Sequence, residues 1–143
     1  THPRYGVPKT YRAHVSGFVT DEEITRLRKG IWLAEGKTHV ADAKVIHSAR
    51  DGSVIEITLN EGRNREVRRI LARLKHPVRK LMRIRIGPLT LRGLASGAFR
   101  ALSKAEIMSL NKYGRRLEIV HRGKSTEISR EKRRVNPSSF REV

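Results

Sequence analysis

The sequence predicts an α+β fold, a mainly antiparallel sheet flanked by short helices. Three observations carry this. Lys9–Gly17, Ser53–Asn60 and Val78–Ile86 alternate apolar and polar residues as half-buried strands do. Helical stretches interrupt them, two of which open on capping signals. The connection Arg50-Asp51-Gly52-Ser53 is hairpin-like, which favours antiparallel pairing.

Each element follows in order. Thr1 to Pro8 is a loop, broken by His2-Pro3 and Val7-Pro8. In the first strand Tyr11, Ala13 and Val15 share one face, and Arg12, His14 and Ser16 the other. Thr20-Asp21-Glu22-Glu23 reads as a capping box that starts a short helix carrying Ile24, Leu27 and Ile31 and ending near Gly30. Gly36 to Ser48 forms one or two strands. The turn that follows places Gly52 where positive φ is tolerated. In the next strand Ile55, Ile57 and Leu59 oppose Val54, Glu56 and Thr58. A central helix runs to about Lys75, and His76-Pro77 ends it before Val78–Ile86. Ser103-Lys104-Ala105-Glu106 is a second capping box, starting a closing helix through Leu110.

The chain is organised around Glu61-Gly62-Arg63-Asn64-Arg65-Glu66-Val67-Arg68-Arg69, at a strand-to-helix turn. Val67, Ile70, Leu71 and Leu74 form the buried stripe of the helix, with Arg65 and Arg69 on the solvent side. Arg68 falls at the margin of the stripe, where a guanidinium reaches something partly buried. Free backbone N–H groups and arginine forks suit phosphate or carboxylate, while a solvated basic face fits the same pattern. In the following strand Arg79, Arg83 and Arg85 are expected to share one face. From Gly62 to Arg85 there are ten Lys or Arg and one acid, Glu66.

Composition extends that point. The 143 residues suffice for one domain or part of one. Lys and Arg outnumber Asp and Glu by 32 to 14, for a formal charge of +18 and a pI near 11.4. Such an excess implies a polyanionic partner, RNA or DNA before a membrane surface. With no cysteines, disulfides and thiolate metal sites are excluded. The six histidines are scattered without ligand spacing. Nucleophile-elbow and Gly-rich phosphate-loop motifs are both missing. No apolar run is long enough to span a bilayer, and a cytoplasmic setting is expected.

These residues also resemble a known family. Thr1-His2-Pro3, Lys9-Thr10-Tyr11, Leu59 through Arg69, Leu81-Met82-Arg83-Ile84-Arg85-Ile86-Gly87 and Gly97-Ala98-Phe99-Arg100-Ala101-Leu102 stand in the order and spacing of the RsuA/RluB-type pseudouridine synthases. The resemblance spans about residues 1 to 110. It implies an enzyme that isomerises uridine to pseudouridine in ribosomal RNA without a cofactor. The target base is flipped out, an Asp carboxylate acts as nucleophile, and the released base rejoins the sugar through carbon 5.

Carried over residue by residue, Tyr11 matches the tyrosine that packs against the flipped base. A core tyrosine fits it equally, and both readings can hold. Arg68 matches the basic residue that pairs with the catalytic carboxylate. Leu81 resembles the apolar residue lining the uracil pocket, although an ordinary core leucine fits as well. Arg63, Arg65, Arg69, Arg79, Arg83 and Arg85 are assigned to RNA contacts.

One departure is large. The family carries its nucleophile in a Gly-Arg-Leu-Asp motif upstream of Thr-His-Pro, and this sequence has none. Asp21, Asp42 and Asp51 sit in a helix first turn, a strand-like segment and a turn. The expectation is therefore the C-terminal part of a catalytic domain, a fragment or processed product inactive by itself. Its open sheet edge would pair with the missing N-terminal half or a second copy. The alternative is a non-catalytic RNA-binding or ribosome-associated protein derived from that fold. Residues 111–143 carry ten Lys or Arg against four Glu and read as a basic C-terminal tail.

Overall fold

A computed structural model describes residues 7–60, 62–63 and 65–113. The elements are β1 (Lys9–Val15), α1 (Asp21–Lys29), β2 (Trp32–Leu33), β3 (Gly36–Lys37), β4 (Val40–Ala49), β5 (Gly52–Leu59), α2 (Glu66–Arg73), β6 (Val78–Ile86), β7 (Leu89–Thr90) and α3 (104–113). Five strands form one sheet in the order β4-β5-β1-β6-β7, with every neighbouring pair antiparallel. The fold is α+β, as the alternation predicts. No described helix is long and apolar enough to cross a membrane.

One face of the sheet makes the core. Ala13, Val15, Ile55, Ile57 and Leu59 meet Ile24 and Leu27 from α1 and Val67, Ile70, Leu71 and Leu74 from α2. Burying each large side chain contributes about 1.5–3 kcal/mol, so the two apolar stripes fix both helices to this face. The other face is polar. There Glu56 accepts from Arg12 Nη2 at 2.7 Å and lies 3.1 Å from Lys44 Nζ. Burial works to raise the Glu56 carboxyl, but the two cations outweigh it and hold it below the usual carboxylate range.

The helix starts are built locally. The Thr20 hydroxyl accepts the Glu23 N–H at 3.3 Å, and Glu23 Oε2 accepts the Thr20 N–H at 3.0 Å. His76 ties the link between α2 and β6 to this point, with Nδ1 2.9 Å from the Ser16 carbonyl and Nε2 3.0 Å from Glu23 Oε1. α3 begins on the predicted Ser103/Glu106 box and runs to residue 113, past the expected end at Leu110. Arg100 donates two hydrogen bonds to Glu106 and pushes its carboxyl down to about 2. Of the expected tail, residues 111–113 belong to α3, and 114–143 lie outside the described residues, as do 1–6, Glu61 and Asn64.

Two local expectations are corrected and one element is new. Gly52 has no positive φ; a Cβ there would approach the Val15 carbonyl oxygen to 2.9 Å, so close packing requires the glycine. The β2–β3 hairpin is additional, because two-residue strands leave no periodicity to read. Finally, β6 carries register shifts against β1 between Thr10/Tyr11 and between His14/Val15. Arg83 pairs with Tyr11 on the helix-covered side, whereas Arg85 pairs with Thr10 on the polar side. The arginines of β6 therefore do not share one face, since each inserted residue inverts the alternation.

Candidate functional site

The helix-covered side of β1 and β6 gathers the predicted residues. Tyr11 and Leu81 are both half-buried and pack against the core. Leu81 stands opposite Ala13, which is fully buried, and Tyr11 stands between Ile57 and Arg83. A core role for both is thus realised, without excluding a ligand on their open sides.

Arg68 comes to the same side of the sheet from α2. Its half-buried guanidinium donates from Nη1 to the Val78 carbonyl at 3.0 Å. That oxygen opens β6, three residues before Leu81, so one bond orients the guanidinium along the strand. Among the described residues its remaining donors have no hydrogen-bond partner, so they remain available to an incoming acid. The structure puts Tyr11 and Leu81 on adjacent strands and does not bring Arg68 into hydrogen-bond contact with Tyr11.

The loop that launches α2 is shaped by the cations around it. Arg65 occupies the left-handed region at φ 47°, ψ 30° and gives the helix no side-chain cap. For a non-glycine residue that conformation costs about 1–2 kcal/mol. Glu66 is buried, and its Oε2 accepts the Arg63 N–H at 3.1 Å, closing the loop from within. Arg63 donates from Nη1 to the Gly36 carbonyl and from Nη2 to the Lys37 carbonyl, both at 3.2 Å. Arg69 pairs with Glu35 of the same hairpin, and its Nε and Nη2 are shut off from solvent. That guanidinium holds the Glu35 carboxyl below its usual range.

Arg63 and Arg69, expected from the sequence to contact RNA, thus each hold partners within the fold. Both guanidiniums are engaged across the fold, stapling the β2–β3 hairpin to α2. Arg79 is partly engaged too, donating from Nε to Ser16 Oγ at 2.9 Å. The side chains of Arg65, Arg83 and Arg85 are exposed and have no ion pair or hydrogen bond to the described residues. They are divided between the loop and the two sides of β6.

Two features escaped sequence reasoning. Lys9, only 8% exposed, sits below the loop, with Nζ 3.4 Å from the Val7 carbonyl and 3.7 Å from where a Cβ on Gly62 would lie. Its burial has a visible sequence cause, because Lys9 and Tyr11 are two apart on one strand. The hairpin is the other. Among the described residues, Ile84, Ile86, Leu94 and Arg100 line a hollow of about 300 Å³, and Lys29, Lys37, His39 and Asn60 line another of about 300 Å³. Neither of these includes Tyr11, Arg68 or Leu81. No cluster of three or more His, Asp or Glu among the described residues could hold a metal ion.

Comparison with known proteins fits this arrangement. Residues 1–73 match the family model for RNA pseudouridylate synthases. Ribosomal large subunit pseudouridine synthase B of Bacillus subtilis is 42% identical over 111 residues, covering 76% of this chain and 46% of that protein. Ribosomal large subunit pseudouridine synthase E of Vibrio vulnificus is 32% identical over 117 residues, covering 72% and 50%. A crystal structure of a pseudouridylate synthase superposes with a TM-score of 0.65 at 29% identity, over 77% of this chain and 47% of that one. The chain thus spans about half the length of the relatives it matches. The matching residues, the antiparallel sheet and the superposition agree: the chain belongs to the RNA pseudouridylate synthase family, of the RsuA/RluB type.

Proposed function

We propose that this chain supplies one wall of the active site of a cytoplasmic ribosomal-RNA pseudouridine synthase. The observation that carries the reading is Arg68, half-buried and held by the Val78 carbonyl, with further donors left for a carboxylate. A fully exposed arginine would be screened and worth little there, whereas a held one keeps a nearby acid ionised. The names of the relatives favour large-subunit RNA as the substrate.

In this reading the target uridine flips out of its stack and lies against Tyr11, with Leu81 at its edge. The nucleophilic Asp comes from a segment outside the sequence given, and Arg68 pairs with it. The bond between the sugar and N1 breaks, the base turns, and a bond to carbon 5 forms; carbon 5 then gives up its proton and N1 takes one up. The change is an isomerisation, so no oxidant, reductant or cofactor enters the balance. Arg65, Arg83 and Arg85 meet phosphates, and each phosphate neutralised steepens the salt dependence by close to one unit.

Tritium release from RNA labelled at carbon 5 of uridine tests this. A longer protein that joins the Gly-Arg-Leu-Asp segment to this chain is expected to release tritium, and the 143-residue chain alone to release none. Salt-sensitive RNA binding with no release by either would favour the non-catalytic RNA-binding alternative.

A further inference from the structure

The β2–β3 hairpin carries a feature that the proposed wall does not use. Trp32 is the one tryptophan in the sequence, and it is 68% exposed. Strand alternation turns it outward once its neighbour Leu33 is buried, yet a polar residue would satisfy alternation equally well. Trp32 also pairs directly with Lys37, so an indole and an ammonium share one face of the hairpin.

The hairpin is firmly mounted. The Ile31 N–H donates to Thr38 Oγ1 and the Thr38 N–H to the Ile31 carbonyl, both at 2.9 Å. Arg63 and Arg69 also fasten it, as described. A platform held this way loses little freedom when a ligand settles on it. Next to it lies the hollow of about 300 Å³ lined by Arg28, Lys29, Lys37, His39 and Asn60. Lys29 and Lys37 have no ion pair with the described residues, and Arg28 reaches Asp42 only at 3.6 Å. Asn60 follows the last residue of β5 on the way to the Gly62 loop, so this hollow adjoins the segment that leads to Arg68.

We propose that Trp32 and this basic hollow form a second RNA contact, where an unpaired base stacks on the indole and an adjacent phosphate enters among Lys29, Lys37 and Arg28. The ligand class is single-stranded RNA flanking the modified uridine, and the inference rests on the RNA reading above. Aromatic stacking suits any base, while surface cations supply the charge. Arg63 and Arg69 then act as positioning residues, linking this platform to the start of α2.

Because the chain has one tryptophan, its emission reports on this spot alone. A fluorescein-labelled single-stranded oligouridine is titrated into the full chain, following label anisotropy and tryptophan emission together. Emission is expected to be quenched with the same midpoint as the anisotropy, and a blunt RNA duplex to leave it unchanged. Trp32→Ala should weaken oligouridine binding about tenfold and Trp32→Phe less than threefold, in keeping with the usual size of base stacking. RNA binding with unaltered emission and an unaffected Trp32→Ala variant would overturn the inference and leave the RNA reading standing. Loss of all RNA binding would overturn both. A response to phosphatidylserine vesicles but not to RNA would make this a membrane-facing surface and overturn the proposal.

Discussion

The two core helices begin in opposite ways. α1 opens with a complete capping box, Thr20 and Glu23 each satisfying the backbone of the other. α2 opens from a left-handed arginine without any side-chain cap bond. Both bury an apolar stripe on the same sheet face, so packing does not explain the contrast. The α1 start is satisfied by its own side chains, whereas the α2 start is closed by Glu66 and keeps Arg65 in a strained conformation. Strain stored at an observed outlier is a mark of function more often than of neglect.

If α2 is held by packing rather than by its start, removing packing should hurt most. Ile70 is fully buried, and Ile70→Ala is expected to lower stability by about 2–5 kcal/mol in urea denaturation. A loss no larger than that from a cap deletion in α1 would break the contrast.

The caps come next. Thr20→Ala should cost about 1 kcal/mol. Burial works to raise the Glu23 carboxyl, but the Thr20 N–H and His76 together leave it below the usual range. A carboxyl lowered on folding contributes stability above its unfolded pKa, and that stability fades as pH falls through the folded value. Glu23→Gln should therefore flatten the acid side of the stability curve below about pH 4.5, measured by denaturation at a series of pH values.

Arg65 should behave in the reverse sense. Arg65→Gly relieves about 1–2 kcal/mol of left-handed strain but gives back about 0.5–1 kcal/mol in unfolded-chain entropy. The net is a stabilisation of about 0 to 1.5 kcal/mol, together with weaker RNA binding and a salt slope smaller by about one unit. Destabilisation would mean that Arg65 holds the helix start after all. Smallest is the partly exposed Arg69–Glu35 pair, where solvent screens the charges and Glu35→Ala should leave the urea midpoint almost unchanged.

Much of this was legible in the sequence, for local reasons. The stripe Val67, Ile70, Leu71, Leu74 and the Thr20/Glu23 box each lie within two turns of helix, and both are as predicted. The margin position of Arg68 on the wheel likewise anticipated its half-buried setting. What escaped depends on distant partners. Arg63 meets carbonyls 26 and 27 residues away, which no local pattern encodes. The irregular register of β6 is set by pairing with β1, so its arginines changed faces where simple alternation kept them together. The exposed indole of Trp32 is likewise a matter of where Leu33 finds its core.

The most direct test compares two substitutions on the full-length protein with two readouts, single-turnover tritium release and RNA affinity. Arg68→Ala should slow release at least about a hundredfold, as expected when a charge that stabilises the reacting site is removed. Its affinity for RNA should stay within about threefold, while Arg65→Ala should weaken binding and spare the chemical step. Equal losses of rate and affinity in both variants would contradict the assignment of Arg68 to the carboxylate.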